Sequence, residues 1–186
     1  MQQTQITHPD EANIIARTQA WLEKAVIGLN LCPFAKAVHI KQQIRYVVSP
    51  ATTETELIEH LAQELAHLAA TSSKTTDTTL LIHPNVLQDF LDYNDFLDTA
   101  DEVLETLELD GELQIASFHP QFQFADTDAE DITNYTNRAP YPMLHILRED
   151  SVDAAVKAFP EAEAIYAVNM QTLRTLGHAG WKDLGV

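Results

Sequence analysis

Thr79-Leu80-Leu81-Ile82-His83-Pro84 is the stretch on which the reading of this chain turns. It is a short uncharged run of aliphatic and β-branched residues, the composition of a buried strand, and Pro84 stops it by removing the N–H that would continue a ladder. What flanks it fixes its company. Upstream, Thr53-Glu54-Thr55-Glu56 matches a capping box, and Leu57, Ile58, Leu61, Leu65 and Leu68 continue at helical spacing. Before that helix, Arg45-Tyr46-Val47-Val48-Ser49 reads as another strand, stopped by Pro50. Downstream, Asn85 can cap a long or kinked helix carrying Leu87, Phe90, Leu91, Leu97, Leu104 and Leu107, any kink falling near Asp92-Tyr93-Asn94-Asp95. Leu113 to His119 follows as a third strand, ended by Pro120.

Strand, helix, strand, helix, strand in that order predicts an α/β fold, with α+β as the alternative. The expectation is a single sheet of about four strands. Three are parallel with helical crossovers, so that His83 and His119 end neighbouring strands, and Met143 to Arg148 joins as an antiparallel or edge member. Around this centre, Pro9 to Leu29 reads as an amphipathic helix ending near Gly28, and Asn30 to Ala35 as a tight apolar connection. Gln121 to Pro142 is long and irregular, which suggests a functional loop. Ser151 caps a short helix through Phe159, and Pro160 opens a last helix closed by Gly177. No composition shift marks a boundary, so residues 1–186 are expected to form one domain with residues 1–8 as a flexible tail.

The totals narrow the function classes. A net charge of -17 repels phosphate backbones, and no Lys/Arg cluster offers a local exception, so nucleic acid is not an expected partner. No apolar run reaches the roughly 20 residues of a membrane span, and the first residues lack the basic and apolar parts of a signal peptide. A cytoplasmic protein without membrane contact is expected. The single cysteine, Cys32, cannot form a disulfide within the chain, which leaves packing, reactivity or metal binding.

In open sheets, ligands bind beyond the carboxyl ends of the strands. Those ends are Ser49-Pro50, His83-Pro84 and His119-Pro120, with Tyr141, Met143 and His145 expected near the same edge. His83 and His119 are the candidate acid/base groups, and Cys32 the candidate nucleophile. Cys32, His83, His119 and His145 also make a chemically reasonable ligand set for a divalent transition metal such as Zn or Fe, although none shares a short ligand spacing. Arg138 and Arg148 are scarce cations that could clamp an anion, with Asn137 and Tyr141 as further ligand contacts. Each has a plainer reading beside it: a His-Pro turn, a packed thiol, a structural arginine. Asp126, Asp128, Glu130 and Asp131 read as a solvated charge run, because they lack a calcium loop's regular ligand spacing.

In the segments Gly28-Leu29-Asn30-Leu31-Cys32-Pro33-Phe34-Ala35, Ser117-Phe118-His119-Pro120 and Thr136-Asn137-Arg138-Ala139-Pro140-Tyr141-Pro142 the chain resembles a bacterial family, domain of unknown function 1415. The likeness extends through Leu144 to Glu149 and Leu176-Gly177-His178, so it covers nearly the whole chain. It implies one bounded domain and brings no catalytic residues with it. Asp126 departs from the family pattern, which has glycine at that point of Phe124-Ala125-Asp126-Thr127. Three functions are expected in order: an enzyme acting on a small anionic metabolite, a non-catalytic small-ligand or metal-binding protein, and an acidic protein-interaction module.

Overall fold

A computed structural model describes residues 9–159 and 164–186; the expected tail at 1–8 and the helix start at Pro160 lie outside them. Four strands form the sheet: β1 (Ile44–Val48), β2 (Thr78–Ile82), β3 (Leu113–Phe118) and β4 (Met143–Arg148). Their order is β1-β2-β4-β3, with β1 and β2 parallel and β4 antiparallel to both its neighbours. The mixed α/β character is as expected, but only one adjacent pair is parallel. β4 lies between β2 and β3, so His83 and His119 do not end neighbouring strands. Burial explains the placement. β4 buries Met143, Leu144 and Ile146, as a central strand should, whereas β3 carries polar Gln114 and Ser117 and tolerates the edge.

One face of the sheet is covered by α3 (Glu54–Ala70) and α4 (Phe90–Thr106). The Thr53 hydroxyl accepts from the Glu56 N–H and the Glu56 carboxylate accepts from the Thr53 N–H, so α3 starts where its capping box stands. Leu57, Leu61, Leu65 and Leu68 are all fully buried against this face, each contributing about 1.5–3 kcal/mol of transfer free energy. Arg45 reaches from β1 to Glu64 of α3 in a two-pronged ion pair of 2.8 and 3.0 Å. α4 begins later than expected. Its cap is Asp89, whose carboxylate accepts from Leu91 and Asp92 N–H, and not Asn85, because the chain from Pro84 to Gln88 turns with Leu87 at positive φ. No kink breaks it at 92–95.

The other face meets α1 (Pro9–Trp21), a π-helical turn (Leu22–Ile27), α2 (Ala35–Ile40), α5 (Glu149–Ala158) and the end of α6 (Ile165–Asp183). The π turn closes with Gly28 N–H donating to the Glu23 carbonyl at 3.0 Å, five residues back. A Cβ at Gly28 would strike the Lys24 carbonyl oxygen, so this turn requires glycine. α2 was not anticipated, and Gly177 does not end α6: its φ of 65° bends the chain, and the helix resumes to place Trp181 on Tyr135, ring centroids 4.9 Å apart. α5 starts at Glu149 with Arg148 before it, so Ser151 is not its cap; the Ser151 hydroxyl donates to Asp77 instead.

Candidate functional site

Strand alternation decides which candidate side chains can meet. His145 pairs with Leu80 on one side and Ala116 on the other, which puts it on the α1/α2/α5 face. His83 lies three residues beyond Leu80, and His119 three beyond Ala116, so both belong to the α3/α4 face. Cys32 packs with the first group. The four residues proposed as one metal set are therefore split two and two by the sheet itself. Among the described residues no group of three or more His, Cys, Asp or Glu is placed to hold a metal ion.

His83 and His119 do come together, around Tyr93 of α4 and not around a crevice. Their ring centroids lie 5.8 and 5.0 Å from that of Tyr93, and Phe90 closes on His119 at 5.5 Å. Both imidazoles are fully buried. The Gln121 N–H donates to His119 Nδ1, so His119 carries its proton on Nε2 and gives it to the Leu87 carbonyl at 3.2 Å. His83 Nδ1–H donates to the Val86 carbonyl at 3.1 Å, which leaves Nε2 as an enclosed lone pair without a partner among the described residues. Burial pushes His83 down to about 4 and lowers His119 as well, so both stay neutral at pH 7. The Tyr93 hydroxyl donates to the Met143 carbonyl at 2.8 Å and accepts from the Phe118 N–H at 3.1 Å, which completes the backbone bonding where β3 and β4 end. These contacts fill the rim with aromatic packing.

The arginines are spent on carbonyls. Arg138 donates to Phe122 O at 3.1 Å and Ala129 O at 2.5 Å and lies 4.6 Å over the Tyr135 ring, which holds the 121–142 loop closed on itself. Arg148 Nη2 donates to Leu68, Thr71 and Thr76 carbonyls at the far end of the sheet, where it caps α3. Asn137 donates to the Ser117 carbonyl, and Tyr141 accepts from Arg17. None of these four forms an anion clamp beside His83 or His119. A small hollow of about 170 Å³ near Arg138, Tyr135 and Trp181 is below the roughly 300–1,000 Å³ usual for small-molecule sites.

A larger cavity of about 550 Å³ lies on the opposite face. Its floor is the sheet, with Leu80, Ala116, Phe118, His145 and Leu147; its walls are the π turn, the Cys32-Pro33-Phe34-Ala35 segment and α2; its roof is α5 with Val152, Ala155 and Ala158. Small side chains make the space: Ala116 sits mid-strand, and α5 turns alanines toward it, so the layers do not close. Polar groups are few. Among the described residues Asp77 is the one charged lining residue, accepting from the Ser151 hydroxyl at 2.7 Å, and no Lys or Arg lines the cavity. Burial raises the Cys32 thiol above its usual range against the lowering by Phe34 and Ala35 N–H, which keeps it a thiol at neutral pH.

Neither cavity is lined by His83 or His119. Sequence reasoning named Cys32 and His145 but missed Thr78, Ala116 and the face of α5. The available signal was Ala116 between Gln114 and Phe118, a small residue where a covered sheet face normally carries a bulky one.

A family model described as "Protein of unknown function (DUF1415)" matches residues 13–183, and the chain belongs to that family. No curated protein and no solved structure matches it.

Proposed function

We propose that this member of the DUF1415 family is a small-molecule-binding protein, whose ligand is held chiefly by apolar contact in the cavity between the sheet, α2 and α5. The observation that carries the reading is the cavity itself: about 550 Å³ in a fold of this size, walled by aliphatic and aromatic side chains with a few convergent polar groups. Protein interiors ordinarily pack without such voids, and uncovered apolar surface on this scale is a binding feature. A π-helical turn contributes Leu22 and Val26 to the wall, a deformation common at functional sites. Catalysis by His83 and His119 is the weaker reading, because their rings are packed on Tyr93 and their hydrogens are given to backbone carbonyls.

Titration with the neutral apolar fluorophore N-phenylnaphthylamine tests this. Saturable one-to-one enhancement is expected in the wild type and is expected to be lost in Ala116→Phe, which fills the cavity floor from the edge strand. Absence of saturable binding, or unchanged binding in Ala116→Phe, overturns the reading.

A further inference from the structure

The cavity floor carries one hydrogen-bonding group whose polarity is fixed by its neighbours. Thr78 Oγ1 lies 2.6 Å from the Ile146 carbonyl and 2.7 Å from His145 Nε2. A carbonyl can only accept, so the single Thr78 hydroxyl hydrogen goes to Ile146 O. The Thr78 oxygen must then accept from His145, whose proton therefore sits on Nε2. His145 Nδ1 is left as a lone pair, with no hydrogen-bond partner among the described residues, on a ring that lines the cavity. The ring is steadied by Phe118, centroids 6.0 Å apart.

Two further observations bound what can bind there. Among the described residues the lining offers no cation, and its one charged member is the Asp77 carboxylate. The chain as a whole carries -17, so an anion would be repelled on approach and find no counter-charge on arrival. Nor can His145 itself supply one: burial pushes it down to about 4, and it stays a neutral acceptor at pH 7.

From this juxtaposition we propose that the ligand is a neutral, largely apolar molecule bearing a hydrogen-bond donor, an alcohol, phenol or amide N–H, which it gives to His145 Nδ1. The inference rests on the cavity being the binding site, and it excludes fatty carboxylates and phosphorylated metabolites as its ligands. Thr78 acts as a positioning residue that selects the ring tautomer. The rest of the molecule is held by the aliphatic walls, so chain shape is read loosely and the head group sharply.

The test is displacement of N-phenylnaphthylamine by three probes of equal chain length: decanol, decyl methyl ether and decanoate. The alcohol can donate, the ether can only accept, and the carboxylate is an anion. Decanol is expected to displace at a concentration at least about five-fold lower than the ether, the worth of one net hydrogen bond, with decanoate weakest. His145→Leu is expected to abolish the alcohol-over-ether preference, read against that variant's own fluorophore affinity. Nitrogen NMR shifts of His145 are expected to report the Nε2–H tautomer in the wild type and a mixture in Thr78→Val. Ether equal to alcohol, decanoate best of the three, or a preference that survives His145→Leu each overturns the head-group assignment while leaving the cavity reading intact. Failure of the fluorophore itself to bind the wild type overturns both. Where His145→Leu does not fold, the wild-type ratio of alcohol to ether decides.

Discussion

Lowering the pH from about 7 to about 5 is expected to cost this fold several kcal/mol, and the source is specific. The ordinary histidine pKa is about 6.5, and burial holds His83 and His145 near 4 in the folded chain. As the pH falls through 6.5 the unfolded chain takes up a proton at each site and the folded chain does not. The unfolded state then binds more protons, so stability falls as pH falls, with the loss confined to the window between about 6.5 and 4. Integrating across it, each ring contributes about 2 kcal/mol between pH 7 and pH 5, or about 4 kcal/mol for the pair. His119 is shifted in the same direction and adds to the sum. Part of this is offset, because protonating carboxylates relieves the self-repulsion of an acidic chain. A variant removes that ambiguity. His83→Phe keeps a ring against Tyr93 but cannot titrate, so urea unfolding of the two proteins at both pH values isolates the His83 share, expected at about 2 kcal/mol. Proton NMR of the wild type should show His83 still neutral at pH 5. A pH dependence equal in both proteins, or a His83 midpoint between about 6 and 7, would refute the account of that ring as an enclosed neutral packing group.

Three further substitutions follow from named contacts. Tyr93→Phe leaves the Met143 carbonyl and the Phe118 N–H unpaired in a buried position and is expected to cost about 2–4 kcal/mol by urea unfolding; a cost below about 1 kcal/mol contradicts the hydrogen bonds assigned to that hydroxyl. Arg148→Met is expected to destabilise by about 2–3 kcal/mol, through three uncapped carbonyls, yet to leave fluorophore affinity within about two-fold of wild type; weakened binding in the folded variant would restore Arg148 to the site. Asp126 occupies the left-handed region at φ 63° on an exposed turn, so Asp126→Gly is expected to raise the unfolding free energy by about 0.5–1 kcal/mol, and a loss of stability would contradict the strain argument.

What could be read from the sequence was what local chemistry decides. The Thr53–Glu56 box, the leucine stripe after it and three strands stopped by Pro50, Pro84 and Pro120 need only neighbours in the chain, and they stand where expected. Strand direction was legible too, because helical crossovers between β1, β2 and β3 keep those strands pointing one way. Neighbour order was not, since it depends on which strand can bury both faces; β4 outcompetes β3 for the place beside β2 because Gln114 and Ser117 can remain at an edge. The site failed for a related reason. His83 and His119 sit at strand ends and His145 near the same rim, so with Cys32 they looked like one set, but alternation puts His83 and His119 on one face and His145 on the other, where Cys32 packs. Asp126 ran the other way: the expected glycine is absent, yet the backbone keeps the turn that a glycine would favour. A cavity is a gap between layers, and only Ala116 hinted at it from the sequence.

The most direct test of the central claim is methyl-resolved NMR of the protein titrated with decanol. The account predicts saturable shifts at Val38, Ala116, Val152 and Ala155, which line the cavity, with Leu81, Leu144 and Ile146 on the α3/α4 face unmoved. Shifts centred on that opposite face beside His83 and His119, or no saturable shift at the cavity methyls, would contradict it.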